Sequence, residues 1–221
     1  MITSIQLLKK RIDELTFEEM AFVHLSTSNS PIFVKNYQLR STLSFIYQNI
    51  CHALVNEASK QLMPYLSLCA ILDQLGICYD RKDKIKPRYA NGIKRALVNF
   101  SELVEDDKLI DVLYALRNGL LHNLSLTSFD KFKNKFYKFR YNIEIEGIYQ
   151  DAEIEWNSNY ATLDTDPEKY TTHINVEKLR ALVFGSIDKA NDLNQNSLLE
   201  LRLEGRLRQL YFDYVRAVEI E

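Results

Sequence analysis

The chain has 221 residues, of which 46% are hydrophobic and 26% are charged, and its formal net charge at pH 7 is −2. This length and composition predict one large globular domain, or one domain with an elaborate insertion. The charge excludes a generally cationic surface, so a nucleic-acid site would have to be a local basic patch. No apolar run approaches the roughly 20 residues that span a bilayer, and no signal peptide is visible, so we expect a cytoplasmic protein without a membrane partner.

The first half of the chain has helical periodicity. Apolar residues recur at steps of three and four, and we expect helices over 5–15, 37–59, 61–76 and 89–104. Thr16 and Glu19 have the spacing of a capping box, and Pro64 suits the first turn of its helix. Gly76 is a candidate helix terminus.

The next predicted helix, over 107–123, has two distinct faces. Its apolar stripe is formed by Leu109, Val112, Leu113, Leu116 and Leu120. Opposite that stripe, the polar residues Asp111, Tyr114, Asn118 and His122 fall within about 80° of one another. Arg117 lies roughly 140° from His122, but its long side chain can bring the guanidinium toward the same phosphate-sized space.

After residue 128 the periodicity changes to that of a strand. Apolar and charged residues alternate from Phe136 to Glu146, which predicts a strand with one face toward the core. Segments 152–156 and 171–176 are candidate partners in a small antiparallel sheet.

Two helices are predicted after this sheet. Asn175 has the position of a cap for a helix over about 176–192. Ser197 and Glu200 have the spacing of a capping box at the start of the last helix, whose apolar positions extend to Val218.

These elements predict a mainly α fold, a helical bundle with a small antiparallel β insertion. We expect the bundle over 1–128, the β-rich insertion over 129–175, and C-terminal helices over 176–221 that complete the bundle, because their apolar stripes need cover. A separate C-terminal β/α subdomain is the alternative.

The sequence from Arg117 to His122, Arg-Asn-Gly-Leu-Leu-His, resembles the Arg-polar-x-x-x-His signature of HEPN domains, which are common in prokaryotic defence and toxin systems. The resemblance covers the motif and its helix. It implies a HEPN-like bundle and a metal-independent endoribonuclease without a cofactor, in which the ribose 2′-OH attacks the adjacent phosphate. It also implies a homodimer whose two motifs face each other, and an antitoxin or sensor protein as a further partner.

The resemblance gives each motif residue a role. His122 would accept or donate a proton, Arg117 would bind the phosphate, and Asn118 would orient the imidazole or bond a phosphate oxygen. Tyr114 is a weaker candidate on the same face. Gly119 would permit a close approach of backbones at the dimer contact. Because these polar residues lie away from the apolar stripe, we expect Arg117→Ala and His122→Ala to leave stability nearly unchanged.

Other interpretations of the motif are open. Arg117 and His122 near a helix C-terminus also suit the negative end of the helix dipole, and Gly119 is a candidate end of the helix. A non-catalytic HEPN-like module that binds a partner protein or a nucleotide is the main alternative function. A structural or regulatory helical protein without a family relationship is the third.

A basic and aromatic segment follows the motif helix. Residues 129–141 interleave six aromatic side chains with Lys131, Lys133, Lys135, Lys138 and Arg140. Such a composition suits single-stranded RNA, although a solvated strand explains half of it. The three cysteines lack the close spacing of a zinc site, so we expect no metal.

Overall fold

The structure is a computed structural model that describes residues 2–220. The helices are α1 (Ser4–Leu7), α2 (Phe17–His24), α3 (Thr42–Val55), α4 (Met63–Cys78), α5 (Gly92–Phe100), α6 (Lys108–Asn123), α7 (Val176–Gln195) and α8 (Arg206–Tyr214). The strands are β1 (Ile32–Val34), β2 (Tyr37–Ser41), β3 (Tyr79–Arg81), β4 (Thr127–Asp130), β5 (Lys135–Tyr141), β6 (Tyr149–Gln150), β7 (Thr172–Ile174), β8 (Leu199–Leu201) and β9 (Val215–Glu219). Short 3-10 helices occupy Ile12–Glu14, Tyr160–Asp164 and Glu168–Tyr170.

The strands form three sheets. β2 lies between β1 and β9, β3 pairs with β8, and the third sheet has the order β4-β5-β7-β6. With 49% helix and 16% strand, the chain has a mixed α/β fold. The predicted mainly α fold, a HEPN-like bundle with one small antiparallel β insertion, is therefore wrong.

The fold class was wrongly predicted because several short strands lie outside the expected insertion. The helix predicted from Tyr37 begins only at Thr42, because Tyr37–Ser41 pairs with Val215–Glu219 as adjacent antiparallel strands. The last helix correspondingly ends at Tyr214 instead of continuing through Val218. A strand of three to five residues shows too few alternations to be distinguished from a helical stripe.

The predicted capping box before the last helix is also wrong. Leu199–Leu201 is a strand that pairs with Tyr79–Arg81, so Ser197 and Glu200 do not begin a helix.

The four-stranded sheet follows the predicted alternation in part. Tyr137 and Phe139 are buried and Arg140 is exposed, which confirms the orientation of β5. However, β5 pairs in parallel with β7, because the long segment between them returns the chain in the same direction. Segment 152–156 contributes only one isolated bridge, from Trp156 to Phe136.

Two predicted helix starts are confirmed. The Thr16 hydroxyl accepts the N–H of Glu19 at 3.3 Å, while a Glu19 carboxylate oxygen accepts the N–H of Thr16 at 2.9 Å. The Asn175 side chain accepts the N–H groups of Glu177 and Lys178 at the start of α7. Each cap stabilises its helix by about 1 kcal/mol.

Helix α4 lies at the centre of the core and contacts α3, α5, α6 and α7. Gly76 does not end this helix, which continues to Cys78. Instead, Gly76 lies against the backbone of Gly92 at the start of α5, where a Cβ atom on Gly76 would overlap the Gly92 carbonyl. The absence of a side chain lets α4 and α5 approach closely.

The division of the chain at 128/129 and 175/176 stays a prediction.

We predict that Gly76→Ala lowers the free energy of unfolding by about 1–3 kcal/mol, because the two helix backbones must move apart. Gly185→Ala on α7 is the matched control, since a Cβ atom there meets no heavy atom within 4 Å. The control should raise the free energy of unfolding by about 0.5–1 kcal/mol. Denaturant unfolding measures both values, and an equal effect of the two substitutions would contradict the close helix contact.

Candidate active site

Helix α6 carries the motif and has the predicted faces. The Asp107 carboxylate accepts the N–H of Leu109 at 2.9 Å and caps the helix. All five residues of the predicted apolar stripe are buried. Leu124 follows the helix in the left-handed conformation, with a φ of 49°, and its N–H bonds the Leu120 carbonyl at 3.1 Å. Gly119 therefore lies inside the helix and does not end it.

Gly119 brings the following strand close to the motif. A Cβ atom at this position would lie 2.7 Å from the Ser125 carbonyl oxygen and 2.9 Å from that of Thr127. The close backbone approach that Gly119 permits is thus made within the chain, and not at a dimer contact. It places β4 beside the last turns of α6.

Arg117 and His122 are in direct contact. Nη1 of Arg117 lies 3.0 Å from Nε2 of His122 and 3.2 Å from the Asn118 side-chain oxygen. A guanidinium only donates hydrogen bonds, so Nε2 accepts, and the proton of the neutral imidazole is on Nδ1. The side chain of His122 is exposed. The unprotonated nitrogen is therefore held toward the cation at the edge of the protein.

Asp73 of α4 holds the guanidinium from the other side. Its Oδ2 accepts Nε–H of Arg117 at 2.6 Å, and its Oδ1 accepts the N–H of Ile93 at 3.0 Å. Asp73 is not among the site residues predicted from the sequence, and it lies 44 positions before Arg117. The available signal is that Asp73 is the one charged residue in the otherwise apolar or neutral segment 63–78.

The motif opens into a cleft of about 470 Å³. Its lining residues are Tyr114, Arg117, Asn118, His122 and Asn123 from α6, and Ser128, Phe129, Asp130, Lys131 and Phe132 from β4 and the following turn. The structure thus brings together the three candidate catalytic residues, the weaker candidate and one predicted RNA-binding lysine. The turn is fixed by Asp130, whose carboxylate accepts the N–H groups of Phe132 and Lys133.

Four of the predicted RNA-binding residues lie outside this cleft and contact groups of their own chain. The contacts are Lys133 Nζ to Asp111 Oδ2 at 3.3 Å, Lys135 Nζ to Asp151 Oδ1 at 3.8 Å, Lys138 Nζ to Thr171 Oγ1 at 2.7 Å, and an ion pair of Arg140 with Glu168. Burial lowers the pKa of the Lys138 ammonium. Lys131 alone of the five lines the cleft.

Asp111, the remaining residue of the polar face, does not line the cleft and contacts a lysine of α5 instead. Its carboxylate accepts Nζ–H of Lys94 at 2.6 Å. Burial acts to raise the pKa of Asp111, but the hydrogen bond and the charge of Lys94 outweigh it and hold this pKa below its usual value. Asp111 is therefore a charged structural group beside the site.

His122 is the histidine that lines the motif cleft. His24 is buried between the Tyr79 hydroxyl and the Gln74 amide, and burial lowers its pKa to about 3. His173 lies 3.3 Å from Glu168, and His52 is an exposed residue of α3. None of these three lines the motif cleft.

Three further findings do not depend on the cleft. Among residues 2–220, no three His, Cys, Asp or Glu side chains are grouped as metal ligands, and no helix has the length and hydrophobicity of a membrane span. Comparisons of the chain with protein-family models, with curated proteins and with solved structures found no match.

We predict that Arg117→Ala lowers the free energy of unfolding by about 1.5–3 kcal/mol, because Asp73, which is 8% exposed, would lose its charged partner. This revises the expectation that removal of Arg117 leaves stability unchanged. His122→Ala is the matched control and should change stability little, since His122 is exposed.

A double-mutant cycle with Asp73→Asn tests the pair by denaturant unfolding. The cost of Arg117→Ala should fall in the Asp73→Asn background, and an unchanged cost would show that the two residues are not coupled.

Proposed function

We propose that this protein is an endoribonuclease with HEPN-type chemistry, acting in the cytoplasm as a toxin or defence effector. The observation that carries the proposal is the contact at the motif cleft, where Nη1 of Arg117 lies 3.0 Å from Nε2 of the exposed His122. A phosphate-binding cation and a proton-transfer group are the two parts that metal-independent cleavage of RNA needs.

The reaction follows from the positions of these groups. Arg117 uses Nε to hold Asp73 and Nη1 to contact Asn118 and His122, so Nη2 is left to bind a phosphate in the cleft. Once Nε2 of His122 gives up its hydrogen bond from Arg117 to the 2′-OH, it takes the proton of that hydroxyl. The 2′-oxygen then attacks the adjacent phosphorus, and the 5′-oxygen leaves and takes up a proton. The products are a 2′,3′-cyclic phosphate and a 5′-OH. Arg117 stabilises the negative charge that develops on the phosphoryl group, and Asn118 bonds a phosphate oxygen.

RNA would reach the site along the β4–β5 turn. Lys131 lines the cleft, and the neighbouring Phe132 is 90% exposed. An ammonium for a backbone phosphate and an aromatic face for an unpaired base suit a single strand. The other predicted contacts, Lys133, Lys135, Lys138 and Arg140, would bind phosphates farther along the strand by exchanging their present partners.

The active species we propose is a homodimer. One imidazole per chain cannot readily take the 2′-OH proton and protonate the leaving oxygen in one step. A two-fold contact would bring a second His122 to the same cleft. Exposed apolar side chains beside the cleft support this contact, and they are Leu121, Leu124, Leu126, Phe129 and Phe132.

The ion pair of Arg117 with Asp73 supports a second candidate function. A half-buried arginine held by a core carboxylate also suits a non-catalytic module that binds a partner protein or a nucleotide. In that case an antitoxin or sensor protein would be the partner, and the motif would have no role in cleavage. An RNA-cleavage assay distinguishes the two functions.

We predict that His122→Ala reduces RNA cleavage by at least about 100-fold, the usual contribution of a general acid or base. His52→Ala, which removes an exposed histidine outside the cleft, should cleave at the wild-type rate. Cleavage should continue in excess EDTA and leave 2′,3′-cyclic phosphate ends. Full activity of His122→Ala would refute the catalytic assignment, and restoration of EDTA-inhibited cleavage by Mg²⁺ would refute the metal-independent mechanism.

We predict that Leu124→Asp weakens both dimerisation and cleavage. Leu124 is 68% exposed and left-handed, a conformation that Asp tolerates better than Leu, so the fold should be kept. Ile85→Asp, at a residue that is 92% exposed and outside the cleft, is the control. Sedimentation gives the solution mass at the assay concentration. A monomeric protein whose cleavage rate per chain is independent of dilution would exclude the shared site.

A further inference from the structure

A second cleft, of about 890 Å³, is larger than the motif cleft and lies apart from it. Its walls are the 3-10 turn Ile12–Glu14, the turn between β1 and β2, and helix α8, with the buried Met20 among its lining residues. It shares no lining residue with the motif cleft. Its volume is in the range of about 300–1,000 Å³ that is typical of small-molecule sites.

Positive charge is concentrated in this cleft. Arg11, Lys35 and Arg208 line it, against one carboxylate, Asp13, although the whole chain has a formal charge of −2. Asp13 is paired with Arg11, from which it accepts two hydrogen bonds. Lys35 and Arg208 form no ion pair or side-chain hydrogen bond within residues 2–220. Two cations in the cleft are therefore available to an anion.

The position of Lys35 supports a binding role. It has a φ of 21° in the two-residue turn between β1 and β2. Asn and Gly fit positive φ values in such turns at a lower cost than Lys. A lysine there places an ammonium at the cleft at the expense of backbone strain.

Three aromatic side chains share the cleft with these cations. They are Tyr37 at the start of β2, and Tyr211 and Phe212 on α8. Phe212 is 69% exposed, and its ring meets that of Tyr211 edge to face at a centroid distance of 5.0 Å. Burial and the neighbouring Tyr37 raise the pKa of the Tyr211 hydroxyl, so it stays protonated and can donate a hydrogen bond. Flat apolar rings beside a hydroxyl donor suit a planar heterocycle.

We propose that this cleft is a second binding site, for a nucleoside phosphate. The base would stack on the aromatic side chains of Tyr37, Tyr211 and Phe212, while the phosphates would contact Lys35 and Arg208. Arginine and lysine are the usual partners of phosphate oxygens, and the aromatic groups account for the recognition of a base. The ligand is either a free nucleotide or the phosphorylated end of a strand.

Calorimetric titration of the full chain tests the proposal, with His122→Ala protein so that RNA stays intact. We expect ATP to bind with a micromolar Kd, and adenosine or tripolyphosphate to bind at least tenfold more weakly. Tighter binding of a short 5′-triphosphorylated RNA than of both ATP and the same RNA with a 5′-hydroxyl end would assign the strand end. Weaker binding of the triphosphorylated RNA than of ATP would assign the free nucleotide. No detectable binding of ATP or of this RNA at millimolar concentration would overturn the proposal.

Variants locate the bound nucleotide. Arg208→Glu and Phe212→Ala should each weaken ATP binding at least tenfold without a change in melting temperature. Arg216→Glu makes the same charge change on β9 at an exposed residue outside the cleft lining, and it should bind ATP as the parent protein does. Equal weakening by Arg216→Glu, or loss of binding in Lys131→Glu alone, would contradict the assignment to this cleft.

Discussion

The pairing of the Asp73 carboxylate is the constraint on which the candidate active site depends. A carboxylate that is 8% exposed must have its charge and its hydrogen bonds satisfied. Asp73 meets this requirement with Arg117 of α6 on one oxygen and with the backbone N–H of Ile93 in α5 on the other. The contact of Gly76 with Gly92 brings α4 and α5 close enough for this arrangement. The orientation of Arg117 is thus set by the core of the protein, and His122 takes its position from Arg117.

Local signals in the sequence predicted the parts of the structure that depend on neighbouring residues. Helix periodicity and caps act between residues that are fewer than about five positions apart. The sequence therefore predicted the motif helix, its buried stripe and the caps at Thr16 and Asn175. Asp73 was missed because its partner Arg117 is 44 positions away and no local pattern connects them. The prediction of the sheets was incomplete for the same reason, since Tyr37–Ser41 becomes a strand only because Val215–Glu219 lies beside it.

The two clefts use positive charge in different ways. At the motif, Arg117 is already bound by Asp73, so the core fixes the cation before a substrate arrives. In the second cleft, Lys35 and Arg208 are exposed and no core carboxylate within residues 2–220 holds them. The first arrangement favours catalysis, which gains from groups fixed in advance. The second is typical of a binding site. The basic side chains along β5 belong to neither cleft, and the acidic partners of Lys135 and Arg140 limit what these two add to the surface charge.

The pairing of β2 with β9 has a consequence for the synthesis of the protein. Residues 37–41 leave the ribosome long before the neighbouring strand at 215–219 is made. Until then, one edge of β2 has unpaired backbone groups, which can pair with other chains. Helix α8, a wall of the second cleft, is made just before β9, whereas the residues of the motif cleft are all translated by position 132. The nascent chain therefore contains every residue of the motif cleft while its first sheet is still incomplete.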